Sequence, residues 1–171
     1  AGRQVLTAEE TGVPGLSVFG RGAGLRPILP MLEHQHTNKF EFIITLRGMR
    51  RIQTGGECCT LYPRQAFAAH PNEPHFSPED QPAQGEILWF QLDPTCRDFL
   101  GLPPWEVREL LRLLADFRGR LLELPHPLTE AFLQCFHLLQ GGIAERLEGR
   151  SLFVCSLIRL LGCHAPLEQL T

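Results

Sequence analysis

Three histidines and one glutamate in the first half of the chain have the residue types and spacing of a metal-binding site. His34 and His36 are separated by a single residue, Glu41 follows after a short polar stretch, and His75 ends the segment His70-Pro-Asn-Glu-Pro-His75. Three imidazoles and one carboxylate form a suitable ligand set for a divalent transition metal such as Zn²⁺, Ni²⁺, Fe²⁺ or Mn²⁺. We therefore treat these four residues as candidate metal ligands.

Short β-strands are the elements that would bring these side chains together. The stretch from Met31 to His36 is predicted to be a strand. Residues two apart on a strand share a face, so His34 and His36 can point towards the same place. The polar residues 37–39 would turn the chain and allow Glu41 to return on the next strand.

The next predicted strand, Phe40 to Leu46, is rich in aromatic and β-branched residues. Its alternation puts Ile43 and Thr45 on the face of Glu41, so they are candidates for lining a ligand site. Arg47 has the same parity and could bind an anionic ligand at the mouth of that site. The alternative for Arg47 is a solvated strand end.

A further strand is predicted at Gly85 to Leu92, where apolar residues are nearly continuous, as expected when both faces of a strand are buried. Trp89 and Gln91 share one face of it. A tryptophan facing a cavity could stack on a ring or a sugar and orient it through its indole N–H. The alternative for Trp89 is ordinary core packing.

Turn signals and a change of periodicity set the architecture. Gly55-Gly56 predicts a hairpin, and several short strands separated by turns predict a closed or sandwich-like barrel. After Asp93-Pro94 the apolar spacing becomes helical. Helices are predicted from Pro104 to about Phe117, from Thr129 to about Leu147 with a kink or split at Gly141-Gly142, and from Leu152 to Leu161.

The bulk composition excludes several classes of protein. A chain of 171 residues with 43% hydrophobic and 20% charged residues suits one globular domain. Its net charge of −3 leaves no basic surface for binding a phosphate backbone. No apolar run is long enough to cross a bilayer, and the N-terminus has no signal-peptide pattern. The six cysteines form no disulfide framework, which predicts a reducing, cytoplasmic setting.

The spacing from His34 through His36 and Glu41 to Gly48 resembles the first motif of the cupin barrels, and His75 matches the histidine of their second motif. The rest of the second motif differs: Arg64 and Asn72 stand where glycines are expected, His70 where a proline is, and Glu79 where an asparagine is. The resemblance implies a cupin-like (jelly-roll) barrel with a metal site in its lumen. The alternative is that the histidines line the lumen without a metal.

A barrel followed by helices rich in Leu and Phe resembles the N-terminal sensor and dimerisation domain of AraC-type transcription regulators. That resemblance implies a mainly β fold with two or three C-terminal helices: an N-terminal arm (1–15), a cupin-like barrel (16–102) and a helical dimerisation region (103–171). It also implies a small-molecule effector in the lumen and a homodimer. DNA would be contacted only through a helix-turn-helix domain absent from this chain.

Large apolar residues in the last predicted helices also favour a homodimer. They would leave an exposed apolar patch on a monomer, which monomeric proteins tend to avoid. These residues are Leu152, Phe153, Leu157, Leu160 and Leu161. The alternative is that they only cover the barrel.

The second functional class is a metal-dependent cupin enzyme, such as an isomerase or an oxygenase. The complete ligand set favours it. No acid–base pair stands out near the motifs, although Tyr62 or Glu79 could serve. We identify no catalytic residue and expect a binding domain rather than an enzyme.

Overall fold

The structure is a computed structural model that describes residues 2–24, 31–78, 85–117 and 121–164. The elements are β1 (Arg3–Thr7), α1 (Ala8–Thr11), β2 (Leu16–Gly24), β3 (Met31–His34), β4 (Phe40–Gly48), β5 (Arg50–Thr54), β6 (Glu57–Leu61), β7 (Gln65–Ala69), β8 (His75–Ser77), β9 (Gly85–Leu92), α2 (Pro104–Asp116), β10 (Leu121–Glu123), α3 (His126–Leu138) and α4 (Ile143–His164). A short 3₁₀ turn, Phe99–Gly101, precedes α2.

Two antiparallel sheets form the barrel. The six-stranded sheet has the order β1-β2-β9-β4-β7-β10, and the four-stranded sheet has the order β3-β8-β5-β6. Ile43, Phe67 and Trp89 of the larger sheet pack in one apolar cluster with Ile52 and Leu61 of the smaller sheet. This cluster occupies the interior between the two sheets, which we call the lumen. The predicted fold, a cupin-like barrel followed by helices, is confirmed.

The alternation along the central strands explains why the larger sheet is covered on both faces. On β4, Ile43 contributes to the lumen cluster, whereas its neighbours Phe42 and Ile44 belong to a larger cluster that includes the helices. The ring of Phe90 on β9 lies 5.3 Å from the rings of both Phe132 on α3 and Phe153 on α4. Each fully buried phenylalanine of this kind stabilises the fold by about 1.5–3 kcal/mol.

The helices follow the sequence prediction in part. α2 begins at Pro104, and the break between α3 and α4 falls at Gly141-Gly142. The predicted separate helix starting at Leu152 is wrong, because α4 runs without interruption from Ile143 to His164. A glycine inside a helix costs only about 1 kcal/mol. Gly149 also lies where α4 passes α3, since a Cβ there would be 3.0 Å from the Cβ of Leu138.

The apolar residues of α4 cover the barrel. Phe153, Leu157, Leu160 and Leu161 are at most 1% exposed and belong to the cluster between the sheet and the helices. Leu152 is partly buried against the same cluster. The prediction that these side chains leave an exposed patch is therefore wrong, because they pack against the chain's own sheet.

Regular structure also occurs where the sequence indicated none. The first residues were expected to be a loose arm, but β1 pairs with β2 from Arg3↔Gly22 to Thr7↔Val18. Thr7 and Glu10 then form a capping box at the start of α1. At the other edge of the sheet, β10 pairs with β7 inside a region predicted to be helical. No helix among the described residues is long and apolar enough to cross a membrane.

Candidate metal centre

The four predicted ligands meet at one end of the lumen. One ligand atom from each of His34, His36, Glu41 and His75 lies within 4.8 Å of the others. The rings of His34 and His75 are 4.4 Å apart, and those of His34 and His36 are 4.9 Å apart. The structure thus brings together all four residues, and metal binding by them stays a prediction.

Strand pairing and one loop contact position these side chains. His34 and His75 face each other across β3 and β8. His36 lies beyond the end of β3, so the predicted extension of this strand to His36 is wrong. The backbone carbonyl of His36 instead accepts a hydrogen bond of 2.9 Å from the N–H of Asn72, which ties its loop to the loop before β8.

Two residues at unusual backbone angles keep the shape of the loops around the site. Arg64 and Asn72, which stand where the resemblance predicts glycines, have φ angles of 68° and 63°. These angles fall in the left-handed region, which glycine adopts most easily and asparagine tolerates. The N–H of Arg64 donates to the carbonyl of Thr45 at 2.9 Å, so the left-handed turn still closes without glycine.

Backbone carbonyls orient two of the imidazoles. Nδ1 of His34 lies 2.9 Å from the carbonyl oxygen of Leu32, and Nδ1 of His75 lies 3.0 Å from that of Glu73. A proton on each Nδ1 completes these hydrogen bonds, so Nε2 is the nitrogen of each ring that is left for the cluster. In His34 this nitrogen can present a lone pair, whereas in His75 it faces the Glu41 carboxylate and would have to give up a proton to bind a metal. Histidine ligands in proteins usually have such an outer partner, which fixes their tautomer.

Glu41 carries the negative charge of the cluster. It is only 4% exposed, its Oε2 lies 2.7 Å from Nε2 of His75, and its Oε1 accepts a hydrogen bond of 3.0 Å from the amide of Gln91. Burial alone would raise the pKa of Glu41, but hydrogen bonds from His36, His75 and Gln91 outweigh it and hold the pKa well below its usual range. The group is therefore a carboxylate at neutral pH.

His75 is affected in the opposite direction. Burial by itself lowers the pKa of His75, but its hydrogen bonds to the Glu41 carboxylate and the Glu73 carbonyl outweigh burial and raise it. A fully buried imidazole with a carboxylate at 2.7 Å holds its proton more tightly than a free histidine. A divalent cation would take the place of this proton beside Glu41.

The donor set fits a transition metal. Three imidazole nitrogens and one carboxylate oxygen suit Zn²⁺, Ni²⁺, Fe²⁺ or Mn²⁺. Two of the imidazoles already have the outer hydrogen bonds typical of ligands, and the carboxylate is charged. His34, His36, Glu41 and His75 would hold the ion, which would act as a Lewis acid on an oxygen of a bound molecule.

The candidate ligand-binding residues occupy different positions. Ile43 and Trp89 face the lumen at 4% and 9% exposure, and Gln91 lies beside the cluster, with its amide 3.2 Å from Nε2 of His36. The indole of Trp89 packs against Gly20, and the guanidinium of Arg3 lies 5.0 Å above it. Trp89 therefore has a packing role in addition to any contact with a ligand.

Thr45 and Arg47 differ in burial. Thr45 is fully buried, with its hydroxyl unpaired among the described residues. A bulge between Thr45 and Arg47 breaks the alternation and pairs Arg47 with Glu86. The Arg47 side chain is 84% exposed and lies 3.7 Å from the Glu86 carboxylate. The parity that placed Arg47 on the face of Glu41 does not hold, because a bulge inserts one residue and reverses the facing of the residues after it. Arg47 is instead the solvated strand end that the sequence analysis gave as the alternative.

A buried charge missed by the sequence analysis lies on β5. Arg50, Ile52 and Thr54 are buried, whereas the residues between them are partly exposed. Arg50 donates a hydrogen bond of 2.5 Å to the hydroxyl of Ser77. The signal in the sequence was the parity of Arg50 with Ile52, which puts both on the inner face of a half-buried strand.

The two candidates for acid–base chemistry gain no support. Tyr62 is 51% exposed at the end of β6, and Glu79 lies outside the described residues.

A solvent-open groove of about 390 Å³ also runs between α3 and α4, lined by Glu130, Leu133, Gln134, His137, Leu138 and Glu145. We place the functional site in the lumen because the buried charges meet there.

Comparison with known proteins found similar solved structures, but no matching family model and no matching curated protein. Among solved structures, KdgF from Halomonas sp. is 22% identical, with 53% of this chain and 76% of that chain covered and a TM-score of 0.40. A predicted oxalate decarboxylase from Thermotoga maritima is 16% identical, with 53% and 79% covered and a TM-score of 0.45.

A cupin protein from Bacteroides fragilis is 17% identical, with 54% of this chain and 76% of that chain covered and a TM-score of 0.46. Identities and TM-scores this low carry no argument about the fold or the function of this chain. The assignment of a cupin-like barrel therefore depends on the strand order and on the two facing sheets.

Proposed function

We propose that this chain is the effector-binding and dimerisation domain of an AraC-type transcription regulator, with a divalent metal in its lumen. The observation that carries the proposal is the convergence of His34, His36, Glu41 and His75 within 4.8 Å. A small molecule bound beside the metal would be the effector. The regulator would act in the cytoplasm and would contact DNA through a helix-turn-helix domain outside this chain.

The connection between lumen and helices supports a sensor. Ile43 and Trp89 face the lumen, whereas Phe42 and Phe90 on the same two strands face the helical layer. A ligand that displaces β4 or β9 would therefore also displace the sheet face on which α3 and α4 pack. Such coupling shifts a population of states when the ligand binds one of them more tightly.

A metal-dependent enzyme is the second candidate. The observation that favours it is a second carboxylate, that of Glu73, near the candidate ligand His75. This carboxylate lies close enough to His75 to contribute to its raised pKa. However, one Glu73 oxygen accepts a hydrogen bond of 3.2 Å from Thr54, and the other accepts one of 2.9 Å from the N–H of His70. Glu73 is thus engaged in holding the loop, which supports a structural role and leaves the binding domain as the first choice.

Metal analysis tests the site. The purified chain is loaded with Zn²⁺, Ni²⁺, Fe²⁺ or Mn²⁺ in turn, dialysed, and measured by elemental analysis beside His36→Ala and His126→Ala. We expect one ion per chain in the wild type and at least a tenfold loss of affinity in His36→Ala, because one of four ligands is missing. His126, on α3 with its side chain 68% exposed, is the matched control and should not matter.

Metal content unchanged by His36→Ala would contradict the metal site. The regulatory role has a separate test, because an AraC-type regulator needs DNA-reading helices after this domain. Sequencing the natural gene beyond the codon for Thr171 should reveal a helix-turn-helix pair. A stop codon at that point would reject the regulator and favour the enzyme or a stand-alone sensor.

A further inference from the structure

Arg50 is a buried cation that the metal centre does not use. It lies at the start of β5 and is 4% exposed. Burial lowers the pKa of its guanidinium to about 10, which still leaves it protonated at neutral pH. Proteins rarely bury a charged side chain fully without a partner, because removing a charge from water is costly.

The partners of Arg50 within the described residues do not satisfy it. One terminal nitrogen donates to the hydroxyl of Ser77, at 2.5 Å. Neither the Nε nor the Nη1 atom of Arg50 has a hydrogen-bond partner in the part of the chain that the structure describes. A guanidinium presents its N–H groups in a planar fork that matches a carboxylate or a phosphate. The unpaired side of this fork is therefore shaped for an oxyanion.

Thr45 adds a second unpaired polar group at the end of the lumen where Arg50 lies. Its side chain is 0% exposed, and its hydroxyl has no partner within the described residues. It shares the lumen-facing parity of Ile43, while Arg50 shares that of Ile52, and both isoleucines belong to the lumen cluster. The strand β4 ends at Gly48, just before β5 begins at Arg50, so both groups lie at this end of the lumen.

We propose that Arg50, with Ser77 and Thr45, is a subsite for a carboxylate group of the molecule that binds in the lumen. The guanidinium would pair with the carboxylate oxygens, and the two hydroxyls would donate to them. This inference depends on the proposed function only in placing the ligand in the lumen. It replaces Arg47 as the anion-binding arginine.

The position of the subsite also restricts the size of the ligand. Ser77 is two residues from the metal-ligand candidate His75 on β8, a separation of roughly 6.6 Å along a strand. A molecule with one oxygen at the histidine cluster and a carboxylate at Arg50 would span a distance of this order. Adipate is long enough for this, whereas oxalate is not, so an elongated organic acid fits better than a two-carbon acid.

The test measures the stability of the metal-loaded chain by thermal unfolding with acetate, oxalate, adipate or inorganic phosphate. Adipate should stabilise the wild type more than acetate or oxalate does. Arg50→Met should weaken adipate binding by about ten- to hundredfold, as expected for the loss of hydrogen bonds to a charged group. Arg51→Met, the adjacent arginine on the same strand, is the matched control and should bind adipate as the wild type does.

A second measurement covers the possibility that Arg50 has an internal partner. Glu79 and Asp80 follow β8 in the sequence and lie outside the described residues. If the partner of Arg50 is a ligand anion, the buried charge is unpaired when no anion is added. Arg50→Met should then unfold at a higher temperature than the wild type. If Glu79 neutralises it, Arg50→Met should unfold at a lower temperature, and Glu79→Gln should create adipate binding. That second pattern would overturn the inference.

The remaining outcomes also decide between the proposals. Stabilisation by phosphate alone, or no greater stabilisation of the wild type than of Arg50→Met by any acid, overturns the carboxylate subsite. Metal binding that is lost in His36→Ala, together with adipate binding unaffected by Arg50→Met, rejects the subsite and keeps the metal centre. Adipate binding that depends on Arg50 in a chain that holds no metal keeps the subsite and rejects the metal centre.

Discussion

The pair formed by Glu41 and His75 sets the chemistry of the cluster at the scale of single residues. Without a metal, the two side chains lie 2.7 Å apart and form a buried ion pair when His75 is protonated. With a metal, both would bind the cation instead. The pH dependence of stability should therefore differ between the metal-free and the metal-loaded protein.

In the metal-free protein, the pair should stabilise the fold most between about pH 4.5 and pH 6.5. The pKa of Glu41 is lowered from 4.5, so its contribution is present above that value and is lost as the pH falls through the folded pKa. The pKa of His75 is raised from 6.5, so its contribution is present below that value and is lost as the pH rises through the folded pKa.

The measurement is the free energy of unfolding from denaturant titrations in EDTA, for the wild type and Glu41→Gln. The difference between the two proteins should be largest in this window and should shrink at alkaline pH. His126→Ala is the control, because its ion pair with Glu130 is exposed. A difference that grows steadily from pH 6 to pH 9 would contradict the assigned ion pair.

The sequence could predict His34, His36 and Glu41 from spacing and strand alternation, which are local. His75, which pairs with His34 across two strands, was predicted from the resemblance to the second cupin motif. The sequence could not predict the facing of Arg47, since the bulge before it arises from pairing with β9, a strand that is distant in the sequence. The burial of Arg50 could have been inferred from its parity with Ile52, which places both on the inner face of β5. It was missed because burial of an arginine is rare enough to be a poor first guess.

At the scale of elements, the approach of Trp89 to β2 depends on a glycine. A Cβ at Gly20 would clash with the indole of Trp89, whereas one at Gly22 would meet Ile87 at 3.5 Å and the indole at 3.6 Å, which are ordinary contact distances. These two glycines, one residue apart on the same strand, form a matched pair for testing the position of the tryptophan.

Gly20→Ala should therefore destabilise the protein by about 1–3 kcal/mol, as overpacking of a core does. Gly22→Ala should change the free energy of unfolding by much less. Tryptophan emission in a Trp105→Phe background, which removes the exposed second tryptophan, should shift for Gly20→Ala alone. Equal stability and equal emission for the two variants would show that the indole of Trp89 does not pack against Gly20 of β2.

The edge strands show why parts of the sheet escaped prediction. In β1 only Leu6 is buried, so there is no alternation of apolar and polar residues to detect. β10 has three residues and one buried side chain, Leu122. Central strands such as β4 and β9 were predictable because both of their faces are covered, which leaves long runs of aromatic and β-branched residues.

For the whole molecule, the helical layer is part of the barrel's core. Leu157 and Leu161 are at most 1% exposed, so Leu157→Glu would unfold the monomer and could not report on a dimer. A dimer through the last helix must use other residues. Ile143, Leu147 and Ile158 on α4 are 79%, 54% and 44% exposed, and with the partly buried Val154 they follow one stripe of the helix.

We therefore expect a symmetric homodimer in which this stripe of α4 packs against the same stripe of a second copy. Ile158→Glu should shift the sedimentation of the chain from dimer to monomer at micromolar concentration, since it places a charge in an apolar contact. Its circular dichroism and thermal unfolding cooperativity should stay those of a folded barrel, because this side chain is outside the core. The exposed Arg159→Glu, which reverses a charge at the next position along α4 but off the stripe, is the control for unspecific repulsion. A wild-type chain that sediments as a monomer at high micromolar concentration would reject the dimer, and a dimer that persists in Ile158→Glu would place its interface on another face.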